Sequence, residues 1–236
     1  WSTHNRNHKG PWGPVHGAVI HHTAGRDSLN LCWAGTVALP GPLCHTHLAK
    51  DGTATMLSSG RANHAGTFAQ NAYDAVLNEN SVHPRPDATE PVDGNAHFLG
   101  LEIENLGNGN DPYPSVQYDA AVRWATAICR AHGWTANSVI GHKEGTRRKI
   151  DPSFDMDQFR KDVTERLAPS EDDVTTSDEI AKAVWAYLLE SPTAEPDTDP
   201  MRKAGTFLRY TDAKQKALLD KLVSIQANET AQTQII

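Results

Sequence analysis

Two short apolar runs, Gly17-Ala18-Val19-Ile20 and Ser138-Val139-Ile140, each end on histidine, as His21-His22 and Gly141-His142. Runs of this length with β-branched residues read as buried strands. The second run continues through Lys143-Glu144-Gly145-Thr146-Arg147-Arg148-Lys149-Ile150 to Asp151-Pro152. Imidazoles on two strand ends and an aspartate on a Pro-stopped loop make the donor set of an open zinc site. Three N and O ligands leave the fourth tetrahedral position to water, and such water becomes a nucleophile near neutral pH. A lone strand histidine is more often structural; the second histidine and the nearby acid are what favour a metal. Alternation along a strand sends His21 and His22 to opposite faces, so at most one of them is a ligand. His45 and His47 share a face around Thr46, and a site built on that pair stays open at this level.

Composition narrows the function. At 236 residues the chain has room for one large domain, or one of ordinary size with an appendage. Its net charge of −7 argues against a nucleic-acid binder. No apolar run is long enough for a membrane span. The chain begins at Trp1 rather than Met, so it reads as processed or trimmed and an export signal is not judged from it. Cys32, Cys44 and Cys129 show no C-x-x-C spacing and do not form a zinc ribbon or a redox pair. Cys32 and Cys44 bracket a Gly/Pro-rich loop and are either a disulfide or two buried thiols.

Residues 1–168 read as one α/β unit. Strands are expected over 15–22, 43–49, 53–57, 98–103 and 138–140, with Lys50-Asp51-Gly52 as a hairpin turn between the second and third. A short helix is expected within 28–39. Residues 62–94, with Pro84, Pro86 and Pro91, read as loop. Ala121, Trp124, Ala125 and Ile128 stand at helical spacing over 118–132, and Gly133 reads as the C-cap. Phe159, Val163 and Leu167 mark a closing helix over 156–167. Composition changes at Ala168. Residues 169–177 read as an acidic linker and 178–236 as a helical extension, with helices over 178–189 and 211–231. Twelve of the 29 acidic residues and seven of the 22 basic ones lie from residue 170 onward, so most of the acidity belongs to this tail. Leu218, Leu222 and Ile225 give one good heptad, too little for a coiled coil. The extension is expected to serve as a linker, a self-association helix or a wall-targeting element.

Five segments in order carry a resemblance. They are Val19-Ile20-His21-His22-Thr23-Ala24-Gly25, Cys44-His45-Thr46-His47-Leu48-Ala49-Lys50-Asp51-Gly52, Asn63-His64-Ala65-Gly66, Leu99-Gly100-Leu101-Glu102-Ile103-Glu104, and Gly141-His142 with Arg148-Lys149-Ile150-Asp151-Pro152. Together they resemble the zinc-dependent N-acetylmuramoyl-L-alanine amidases of the phage-lysozyme and peptidoglycan-recognition-protein type (amidase type 2). Endolysins of phages with actinobacterial hosts are the nearest in kind. The resemblance covers residues 15–168. It implies an α/β fold with a central mixed β-sheet flanked by helices, followed here by the small helical extension.

The resemblance also implies the chemistry. Zinc would sit on His21, His142 and Asp151; Glu102 would be the acid/base, with Glu104 a rival on the same face; Lys149 would face the oxyanion. Relatives that use Tyr for the acid/base role carry it where this chain has Cys44, which favours Glu102. His45 and His64 would line the substrate cleft. Lys149 and Asp151, two apart on extended chain, point to the same side. The reaction implied is hydrolysis of the amide between N-acetylmuramic acid and L-alanine in bacterial peptidoglycan, at the cell wall. A non-catalytic peptidoglycan-binding module and a zinc peptidase acting on stem peptides are the alternatives. Non-enzymatic relatives usually lose a metal ligand, and this chain keeps all three.

Overall fold

The chain divides into two units, Trp1–Pro169 and Ser170–Ile236. The computed structural model describes residues 3–168, so the account below concerns the first unit. The helices expected over 178–189 and 211–231 lie outside the described residues.

The frame is a five-stranded mixed sheet. Its strands are β1 (Gly17–His22), β2 (Thr46–Leu48), β3 (Ala54–Met56), β6 (Phe98–Ile103) and β7 (Val139–Gly141), in the order β3-β2-β6-β1-β7. β1 lies parallel to both β6 and β7, β2 is parallel to β6, and β3 closes the edge antiparallel to β2. The expected hairpin is this β2–β3 pair. Asp51 Oδ1 accepts the Thr53 N–H and Gly52 takes φ +85°, as the tight turn requires.

Strand alternation divides the core in two. Ile20, Leu48, Leu101 and Ile103 face α4 (Ser115–His132) and α6 (Met156–Leu167), where they meet Ala121, Ala125, Cys129, Phe159 and Val163. Val19, Phe98 and Ile140 face the other way, against Phe68, Ala69, Ala72 and Val76. The last two belong to α2 (Gln70–Leu77). Helices thus cover both faces, which is why the central strands read as continuous apolar runs. The short elements α1 (Leu29–Ala34), β4 (Thr67–Phe68), β5 (Val92–Asp93), α3 (Gly94–His97) and α5 (His142–Gly145) fill the connections.

Most elements fall where the sequence places them. α4 ends at Gly133 in the left-handed conformation, with the Trp134 N–H bonded to the Cys129 carbonyl. α6 starts at Asp155, whose side chain accepts from the N–H groups of Asp157 and Gln158. The departures are 62–94, which is not all loop but holds α2 and two short strands, and the one-turn α5 after β7, which the sequence reading does not place.

α6 is tied to the end of β7 by a part-buried ion pair. Arg160, 5% exposed, donates to Glu144 Oε2 at 2.8 Å and Oε1 at 2.9 Å, and to the Val139 carbonyl. Glu144 Oε2 also accepts the Gly141 N–H, next to His142. Arg160→Met leaves Glu144 without its cationic partner; removing one member of a fully buried pair costs about 3–5 kcal/mol, an upper bound here because Glu144 is partly exposed. Urea unfolding of the variant is expected to show a loss of up to that size; a change within about 0.5 kcal/mol, as for surface sites, rejects the pair's structural role. Among the described residues, no helix is long and apolar enough to cross a membrane.

Candidate metal centre and catalytic groups

His21, next to last in β1, faces the α2 side of the sheet, and its Cα pairs with Glu102 of β6. His142 follows the last residue of β7, and Asp151 closes the loop after α5, held by a hydrogen bond from the Lys143 N–H to its carbonyl. The carboxyl ends of three parallel strands, β1, β6 and β7, therefore converge, the usual place for a site in an open α/β sheet.

Three ligand atoms meet there. His21 Nδ1 is 2.9 Å from His142 Nδ1 and 3.3 Å from Asp151 Oδ2, and His142 Nδ1 is 3.1 Å from the same oxygen. All three residues are buried, and among the described residues they are the one His/Cys/Asp/Glu group able to hold a metal ion. With both imidazoles unprotonated at Nδ1, two ring nitrogens and a carboxylate oxygen this close repel one another unless a proton or a metal ion joins them. Tetrahedral zinc with bonds of about 2.0–2.1 Å has ligand–ligand edges of about 3.3 Å, so the donor set suits zinc in both chemistry and spacing. Burial, and then the neighbouring His142, lower the pKa of His21 to about 4, which leaves its ring neutral and able to ligate. Burial works against ionising Asp151, but its contacts with His142 and His21 hold its carboxyl below the usual range.

His22 goes to the opposite face, as alternation requires. Its Nδ1 lies 3.1 Å from the Tyr113 hydroxyl, away from the cluster. His47 does not join the cluster either: its Nε2 lies 2.9 Å from Ser28 Oγ and 3.9 Å from a Glu104 oxygen. The Glu104 side chain therefore sits with His47, while the strand register sets Glu102 between His21 and His47.

Glu102 is half-buried as a residue, yet its Oε2 is sealed from solvent and has no hydrogen-bond partner. Burial first, then Cys32 and Asp151, push its carboxyl well above the ordinary range, and the positive charge of Lys149 partly offsets them. Lys149 is solvent-exposed, and its field also reaches His21 and His22. Cys32 and Cys44 are free thiols, packed together with Leu57, so of the two readings of this pair the structure has buried thiols. Burial, and then Cys32, raise the Cys44 thiol.

His45 and His64 are both buried beside the cluster. His45 Nδ1 accepts the Gly100 N–H at 2.8 Å, and Trp12 stacks on its ring. Burial lowers its pKa to about 3. Both ring nitrogens of His64 are engaged, Nδ1 with His21 Nε2 at 2.9 Å and Nε2 with the Phe98 carbonyl at 3.1 Å. Sequence reasoning misses Asn95, a buried side chain beneath the 63–66 segment. No local pattern marks it, because what it binds lies about thirty residues away.

The family model for N-acetylmuramoyl-L-alanine amidase (Amidase_2) matches residues 11–154. The chain belongs to that family. No curated protein matches it in sequence. Solved structures similar to it include a selenomethionine derivative of AmpD, with 22% identity and a TM-score of 0.49, covering 69% of this chain and 92% of that one. Another is AmiD from E. coli in complex with anhydro-N-acetylmuramic acid-L-Ala-D-gamma-Glu-L-Lys, with 18% identity, a TM-score of 0.47, and 81% and 77% covered. A third is AmpDh3 from Pseudomonas aeruginosa in complex with an anhydromuramic pentapeptide, with 18% identity, a TM-score of 0.45, and 80% and 78% covered.

Proposed function

We propose that this protein is a zinc-dependent amidase that cleaves the bond between the lactyl group of N-acetylmuramic acid and L-alanine in bacterial peptidoglycan, as a phage endolysin. The observation that carries the reading is the meeting of His21 Nδ1, His142 Nδ1 and Asp151 Oδ2 in a buried site next to Glu102. Family membership supports the bond; the motif resemblance to endolysins of actinobacterial phages supports the biological setting. His21, His142 and Asp151 would hold the metal, which when bound polarises the scissile carbonyl and lowers the pKa of water.

The remaining work falls to side chains. Glu102 takes a proton from the attacking water as its oxygen bonds to the carbonyl carbon. It returns that proton to the alanine nitrogen as the C–N bond breaks, giving a lactyl carboxylate and a free amine. Its raised pKa suits both halves of this task, because a group that titrates nearer to neutrality can take and return a proton. Lys149 supplies positive charge toward the oxyanion, where charge develops only in the transition state. His45 lines the cleft beside these groups.

Purified actinobacterial peptidoglycan, digested with and without a chelator, tests the reading by mass spectrometry of the soluble products. Free stem peptides with N-terminal alanine, lost on chelation, are expected. Cleavage in the cross-bridge or the glycan moves the chemistry to another bond. Absence of products while zinc is bound leaves a binding module.

A further inference from the structure

We infer that His64 is a positioning residue for the metal centre, fixing the tautomer of His21, and that Asn95 sets His64 in place. The inference rests on the reading above only in taking His21, His142 and Asp151 as metal ligands.

The proton positions follow from the acceptors. A carbonyl oxygen cannot donate, so the proton between His64 and the Phe98 carbonyl sits on His64 Nε2. A neutral imidazole then has a bare Nδ1, which accepts from His21 Nε2 at 2.9 Å. With its proton committed there, His21 presents a bare Nδ1 to His142 and Asp151. Without His64 the His21 proton is free to move to Nδ1, where it would bond to Asp151 and compete with a metal. His142 is fixed in the same sense: its Nε2 donates to the Ala65 carbonyl at 3.2 Å, which leaves its Nδ1 bare.

Consecutive residues thus orient both histidine ligands, one through a ring and one through a carbonyl. A single side chain holds that segment. Asn95 Oδ1 accepts the N–H groups of His64 and Ala65 at 2.9 Å each and of Gly66 at 3.3 Å. β6 makes room for the ring by carrying glycine at position 100, where a Cβ would come within 2.5 Å of His64 Nδ1. With both nitrogens used inside the protein, His64 has none left to bind substrate. The resemblance implies a cleft-lining histidine at this position; the hydrogen bonds assign it to the ligands instead.

The test is zinc affinity of the full chain, measured by competition with a chromophoric chelator, beside KM and the melting temperature of the metal-free protein. Loss of an outer partner of a ligand histidine typically costs about 10–100-fold in metal affinity, and His64→Ala is expected to lose that much. His64→Gln can donate to the Phe98 carbonyl and accept from His21, and is expected to regain most of it. Asn95→Asp keeps the accepting oxygen and is expected to bind zinc more tightly than Asn95→Ala. If His64→Ala does not fold, His64→Leu fills the space without accepting a hydrogen bond and carries the same expectation. Wild-type zinc affinity in the Ala or Leu variant, with a raised KM, overturns the inference in favour of a substrate contact. A wild-type chain that takes up no zinc removes the metal reading itself, which is a separate failure.

Discussion

Glu102→Gln is expected to bind zinc like the wild type and to lose about 10²–10⁴-fold in the rate of peptidoglycan hydrolysis, the usual worth of a positioned acid/base. Glutamine keeps the shape but cannot take a proton from water. Glu102 is not among the three clustered ligand atoms, so the metal should stay. The pH profile adds a second readout. The carboxyl is pushed up by burial, Cys32 and Asp151, and as a base it works only when ionised. Activity of the wild type should therefore rise through an acid limb placed above the ordinary glutamate value of about 4.3, and Cys32→Ser should alter that limb by changing the group's surroundings.

The same shift has a stability sign. A carboxyl with a raised folded pKa binds more protons folded than unfolded in the window between the two values. Its favourable contribution is present below the unfolded pKa and is lost as pH rises through the folded one. In metal-free protein, Glu102→Gln should hence be more stable than wild type at pH 8, with the gap closing toward pH 4. Full hydrolytic activity in this variant would falsify the role given to Glu102.

The sequence marks some of this architecture plainly and other parts not at all. β1, β6 and α6 are legible because their apolar residues run together or keep one period and are bounded by clear signals: histidine after β1, Asn105 after β6, Asp155 before α6. α2 is not, because its buried residues are Ala72, Ala75 and Val76, too small to make a strong periodic signal. It also begins at Ala69, with no capping side chain to announce it. Within the site, strand alternation alone separates His21 from His22. The His64–His21 bond and the Asn95 clamp arise only when residues 29–43 positions apart are folded together. No local spacing encodes them, and for His64 the sequence supplies a residue without its partner.

Asp151→Ala should abolish zinc binding and cut hydrolysis by about 10³-fold or more. A metal is worth several kcal/mol of transition-state charge stabilisation, and each 1.36 kcal/mol is tenfold in rate. Asp151 supplies the one anionic donor of the cluster and meets both imidazoles at once, at 3.3 and 3.1 Å. Losing it leaves two neutral nitrogens 2.9 Å apart, a weak site for a dication. Thermal unfolding reads the same event without activity. A ligand that binds only the folded state stabilises it by about 4 kcal/mol at a thousand times its Kd, so zinc should raise the wild-type Tm and leave that of Asp151→Ala unmoved. An equal zinc-induced rise in both proteins would place the metal elsewhere. An equal rise with wild-type hydrolysis would remove Asp151 from the centre altogether, and with it the account of why a carboxylate lies buried between two histidines.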